Sequence, residues 1–263
     1  MMKKLLLTTA IVASFGVSAA QAVTVNGISF NAGSVFATSS ILETGPTDPN
    51  AALFADRELR GFGLVSTIDF NPNFACAGCE LTFVLSGFEL MSVGNGDDFI
   101  FSGGTITFYA DNSKDFDGTD ASTAADGVEW LVLAGHEFTD FDTGEMGTLM
   151  SFDSLLSPGG GINFGTGLFD VVGGNAAGNF NTNTMGDTCP GLNCYTVNPN
   201  AEGDYADFVF SSSFQISGNP INPDFPVQGT GEIRGFAVPE PASLGLLGFG
   251  LVGMGLIARR RRS

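Results

Sequence analysis

Four cysteines, one histidine and one dense acidic turn are the places where this sequence could do chemistry. The cysteines come as two close pairs, Cys76-Ala-Gly-Cys79 and Cys189-Pro-Gly-Leu-Asn-Cys194. Their number suits a zinc ribbon, but the second spacing is wide for one. A redox-active Cys-x-x-Cys would open a helix, whereas Cys79 runs straight into the strand-like Glu80-Leu81-Thr82-Phe83. Disulfides are the use that remains, with three possible pairings. The local pairs Cys76–Cys79 and Cys189–Cys194 are expected, because each brackets a Gly-containing loop next to a strand. Rings this short pin loops more than they stabilise a fold.

The acidic turn reads Asp111-Asn-Ser-Lys-Asp115-Phe-Asp117-Gly-Thr-Asp120. It imitates part of a calcium loop from Ser113 onward, but the twelfth position is Ala124, where an EF-hand needs a bidentate glutamate. Two readings stay open: calcium held by Asp111, Asp115, Asp117 and Asp120 in an irregular loop, or a solvated acidic turn without metal. No other cofactor is implied. His136 is the only histidine, so no multi-histidine metal centre can form within one chain, and no Gly-x-Ser-x-Gly elbow offers it a nucleophile. It reads as a strand-end residue.

Carboxylate pairs for glycoside hydrolysis must stand about 5 to 9.5 Å apart, which abundance of acids alone does not place. Gly159-Gly160-Gly161 lacks the Gly-Lys-Ser/Thr of a phosphate loop. Sugar platforms favour exposed Trp or Tyr, yet the chain has 25 Phe against Trp130, Tyr109, Tyr195 and Tyr205. No enzyme is expected.

The elements that must position these residues are strands. Short runs rich in Phe, Val, Ile and Thr alternate with Gly, Asn, Asp and Pro clusters, which is the all-β pattern. The clearest run places Ala206, Phe208, Phe210, Ser212, Phe214 and Ile216 on one face at a period of two. Similar runs cover Val23 to Phe30, Leu64 to Phe70, Glu80 to Val93, Asp98 to Tyr109, Val128 to Ala134, Met146 to Phe152, Ile162 to Val172 and Gly229 to Phe236. Together they predict a two-sheet, jelly-roll-like β-sandwich, with a closed barrel as the alternative. Trp130, in an apolar strand, is expected in the core. A short helix is expected over Ala51 to Arg60, and Asn175 to Asp187 reads as a long exposed loop.

Both ends carry addresses. Lys3 and Lys4 precede an apolar run to about Val17, and Ala20-Gln21-Ala22 supplies small residues for cleavage before Val23. That order is a secretory signal peptide, to be handled by the secretion translocon and signal peptidase. At the other end Val238-Pro239-Glu240-Pro241 leads into 17 apolar residues, Ala242 to Ala258, and then Arg259, Arg260, Arg261 and Arg262. At about 1.5 Å per residue a helix of that length just spans a hydrocarbon core, and the arginines mark its cytoplasmic end. Two prolines around Glu240 keep the preceding segment extended and readable by another protein.

This three-part order resembles the PEP-CTERM sorting signal. The resemblance implies recognition by an exosortase, a membrane cysteine protease that cuts near Pro239-Glu240-Pro241, with residues 242–258 as a transient inner-membrane anchor and Arg259 to Arg262 as the stop. Three regions follow: a signal peptide (1–22), a β-domain (23–237) and a sorting signal (238–263). Val25-Asn-Gly-Ile-Ser-Phe, Cys79-Glu-Leu-Thr-Phe-Val, Phe108-Tyr-Ala-Asp and Gly229-Thr-Gly-Glu-Ile-Arg-Gly are similar to words in flocculation-associated PEP-CTERM proteins. That similarity implies a surface or matrix protein acting with an exopolysaccharide matrix in flocculation or biofilm. The alternative is a secreted carbohydrate-binding or carbohydrate-active domain, calcium-dependent if the acidic turn binds metal.

Charge narrows the partners. Between the two addresses only Arg57, Arg60, Lys114 and Arg234 stand against 27 of the 28 acids. With no basic patch to neutralise phosphates, nucleic acid is excluded as a partner. The acidity fits a hydrated exported body, and one that attracts divalent cations.

Overall fold

The computed structural model describes residues 22–31, 35–43, 58–93, 99–139, 146–152, 162–185, 196–197 and 205–238. Its strands are β1 (Val23–Val25), β2 (Ile28–Phe30), β3 (Val35–Glu43), β4 (Glu58–Ile68), β5 (Glu80–Val93), β6 (Phe99–Asp111), β7 (Val128–His136), β8 (Phe138–Thr139), β9 (Met146–Gly147), β10 (Leu149–Phe152), β11 (Asn163–Gly173), β12 (Thr196–Val197), β13 (Phe208–Ile216) and β14 (Val227–Gly235). A 3-10 turn covers Ala121–Ala124 and one helical turn, α1, covers Ala177–Phe180.

The main sheet runs β10-β11-β13-β14-β3-β4-β5-β6-β7 and closes on itself, because β7 also pairs antiparallel with β11 from Leu168↔His136 to Gly173↔Val132. Where β7 ends, β10 bridges β6 and β11. The architecture is therefore barrel-like, which corrects the expected sandwich. A period of two says which side chains face inward, and it is the same for a sandwich and a barrel. Closure depends on the pairing of β7 with β11, which no local pattern encodes.

The lumen is filled with side chains. Phe36 on β3 and Trp130 on β7 come from opposite walls, yet their ring centroids are 5.9 Å apart in an edge-on arrangement. Phe108, Phe169, Phe208, Phe210, Leu133 and Ile233 pack into the same core. Phe208, Phe210 and Ile216 are buried as the alternation of their strand requires. A second cluster, Leu42, Phe62 and Ala124, lies outside the wall and is covered by Phe116 and Phe225. This cluster seats the acidic turn against the barrel.

One end of the barrel is plugged by three short segments. The first is a hairpin, β1–β2, turning at Asn26-Gly27 with φ of 49° and 79°. Residues 23–30 are thus a hairpin rather than the single strand their composition suggests; an Asn-Gly pair tolerates the left-handed turn. The second runs from Phe74 to Cys79 and binds the hairpin through Ser29 N–H to Phe74 O at 2.7 Å and Cys76 N–H to Gly27 O at 2.9 Å. The third is α1, whose Phe180 is fully buried against Phe30, with centroids 4.7 Å apart. Trp130 Nε1 donates to Val25 O at 3.0 Å and locks the hairpin to the wall.

The loop expected over Asn175 to Asp187 is only part of the picture: Ala177–Phe180 form α1 with Phe180 buried and Met185 bridges Ala206, whereas Asn181, Asn183 and Thr184 are exposed and residues 186–187 lie outside the described ones. Of the expected helix, Glu58 to Arg60 belong to β4, and its earlier residues lie outside the described ones.

Candidate functional site

The chain enters and leaves the barrel at the same end. Val23 opens β1 there, preceded by an exposed Ala22, and β14 finishes there at Gly235. After β14 the side chain of Phe236 is exposed, Ala237 is buried and Val238 is half exposed. Val238 N–H donates to the carbonyl of Asn179 in α1 at 2.7 Å.

That last hydrogen bond is a firm one because α1 is itself fastened. Asp207, only 1% exposed, accepts from the backbone N–H groups of Val171 (2.8 Å), Thr182 (2.5 Å) and Asn183 (2.6 Å). Ala176 N–H adds a bond to Trp130 O at 2.8 Å. The sorting residues Pro239, Glu240, Pro241, Arg259, Arg260, Arg261 and Arg262 lie outside the described residues, as do Ala20, Cys189 and Cys194. The fixed body of the protein therefore comes to within one residue of Pro239.

At the same end Cys76 and Cys79 form a disulfide, with Cα atoms 4.9 Å apart. A Cβ on Gly27 would lie 2.9 Å from Cys79 Sγ, so the hairpin turn rests directly on the bridge.

The acidic turn is sorted by the fold into two parts. Glu80 opens β5 opposite Asp111, which ends β6, and Asp115 folds back so that one carboxylate oxygen from each lies within 4.8 Å of the others. Glu80 Oε1 accepts from the N–H groups of Phe116 (2.9 Å) and Asp115 (3.3 Å). Burial raises the Glu80 pKa, Asp115 and Asp111 add repulsion, and the two backbone donors oppose the rise. Asp111 is shifted down, chiefly by the Ser113 hydroxyl at 2.7 Å.

Asp117 and Asp120 turn away from this corner into their own loops. Asp117 Oδ1 accepts from the N–H and hydroxyl of Thr119, and Asp120 Oδ1 from those of Ser122, capping the 3-10 turn. Those bonds hold both pKa values down. Of the four acids singled out by spacing, the structure thus unites Asp111 and Asp115 and adds Glu80. Glu80 had no local signal, since only the β5–β6 register brings it opposite Asp111. Three carboxylates at this separation are hard oxygen donors of the kind calcium takes.

His136 ends β7 and is buried, with Nδ1 2.9 Å from Asp170 Oδ2 on β11. The pair ties together the two strands that close the barrel. Trp130 is fully buried and Tyr205 exposed, while Tyr195 lies outside the described residues. Among the described residues no helix is long and apolar enough to cross a membrane; residues 242–258 are not among them.

Residues 237–262 match the family model described as the PEP-CTERM protein-sorting motif. The match supports an exported chain processed by an exosortase, with membrane-linked sorting. No curated protein and no solved structure matches the chain.

Proposed function

We propose that this chain is exported with its signal peptide, held in the inner membrane by residues 242–258, cut by an exosortase near Pro239-Glu240-Pro241 and delivered to the cell surface or extracellular matrix. There the acidic barrel serves as a non-catalytic structural or adhesive component, associated with exopolysaccharide in cell aggregation. The observation that carries this reading is the sorting motif at residues 237–262, joined without a spacer to a closed barrel with a buried apolar core. Cells carrying Glu240→Ala test it: the protein should stay in the membrane fraction and aggregation should fall. Normal release and aggregation would contradict it.

Calcium-dependent surface binding is a second reading, favoured by the Glu80, Asp111 and Asp115 corner. Calorimetry at millimolar calcium tests it, with heat absent after Asp111→Asn if that corner binds. No heat from the native chain would end this reading.

A further inference from the structure

The plugged end of the barrel carries an apolar rim for which its own packing has no use. Phe70 is 79% exposed and sits at φ +60°, beside Asp69 at +54°, in the tight turn closed by Asn71 N–H to Ile68 O. Such a turn favours Asn and Gly, and a bulky side chain in the left-handed region is strained. Phe70 is therefore unfavourable twice over, in backbone conformation and in exposed apolar surface.

The register places a second phenylalanine nearby. Val35 O accepts from Asp69 N–H at 2.8 Å on one side, and Val35 pairs with Arg234 on the other. Phe70 follows Asp69 and Phe236 follows Gly235, so both flank the start of β3 at the rim. Phe236 and Val238 are about half exposed.

The chain beyond the barrel says what covers this rim. Only Pro239, Glu240 and Pro241 separate Val238 from the apolar run that starts at Ala242. Even fully extended, those four steps reach about 14 Å. The headgroup region of one leaflet takes up about 5 to 8 Å of that. While residues 242–258 are in the bilayer, Val238 can lie no more than about 6 to 9 Å beyond the headgroups, which keeps the plugged end beside the lipid surface.

We propose that the barrel docks end-on against the outer lipid–water interface, with Phe70, Phe236 and Val238 seated among the headgroups and upper acyl chains. This rests on the membrane-anchored reading above. Docking presents Pro239-Glu240-Pro241 at the depth where a membrane-embedded protease works, and it relieves the exposure of Phe70. The strong acidity of the body does not favour this contact; burial of apolar rim surface does.

The test uses the chain from Val23 to Ser263 reconstituted into phosphatidylcholine vesicles, with or without bromine on the acyl chains. Phe70→Trp reports on the rim, and Phe164→Trp reports on the exposed start of β11 at the far end. Trp130 is common to both and buried. Quenching by the brominated lipid several-fold greater for Phe70→Trp is the expected result. Equal quenching of the two variants in chains that float with the vesicles overturns end-on docking while leaving anchorage intact. Failure of the chain to float with vesicles overturns anchorage, and docking with it.

Discussion

Val238 is bonded through its N–H to the carbonyl of Asn179, 2.7 Å away, and this bond is the last fixed point of the barrel before Pro239. It joins the closed sheet to the sorting motif matched at residues 237–262. Every core residue among the described ones lies before Pro239. The thermal midpoint of the barrel should therefore be unchanged when Pro239 to Ser263 are deleted. A large fall would show that the sorting segment contributes to the fold.

Asp207 is the acceptor that holds α1 to the wall, and its loss leaves three backbone donors without their acceptor. Asp207→Ala should destabilise the barrel by about 3 kcal/mol or more, since an unsatisfied buried donor costs about 1–3 kcal/mol. Asp207→Asn, which keeps one acceptor oxygen, should cost less. Urea unfolding measures both; a neutral Asp207→Ala would show that α1 is not needed for stability.

Glu43, 7% exposed at the end of β3, has its pKa raised by burial to about 7. Because the folded value lies above the unfolded one, the folded state holds the extra proton between about pH 4.5 and 7. Stability from this group is then present at low pH and lost as pH rises through that window, by up to about 3 kcal/mol. Glu43→Gln should remove this fall and make the protein more stable than the native chain at about pH 8. Urea midpoints that decline with pH identically in both proteins would refute the assignment.

Gly104 on β6 has φ of +86°, and a Cβ there would lie 2.2 Å from the ring of Phe88. Gly104→Ala should cost about 2–4 kcal/mol, from the left-handed backbone and the displaced ring. Gly178 in α1 has open space around its Cβ position, so Gly178→Ala should be neutral or stabilising by about 0.5–1 kcal/mol. Equal effects of the two substitutions would count against the close approach of the Phe88 ring to Gly104.

Part of this was legible in the sequence. The alternation of residues 206–216 marks the inward face of β13, and the apolar setting of Trp130 marks it as core. Closure was not legible, because β7 meets β11 through non-local pairing that leaves each strand's pattern unchanged. Glu80 was hidden for the same reason. The polar and small residues of 175–185 resemble an exposed loop, but Phe180 pulls them onto the core and Asp207 satisfies their backbone. The sorting signal was the most legible feature, since its order of prolines, apolar run and arginines needs no tertiary contact to be read.

The central claim is that the chain is cut at its sorting signal and released. Intact-mass measurement of the protein recovered from the cell surface and medium tests it most directly. The account predicts a chain that begins at Val23 and ends near Pro239-Glu240-Pro241, with any covalent addition read as excess mass. A surface-exposed chain that still carries Arg259 to Arg262 would contradict it.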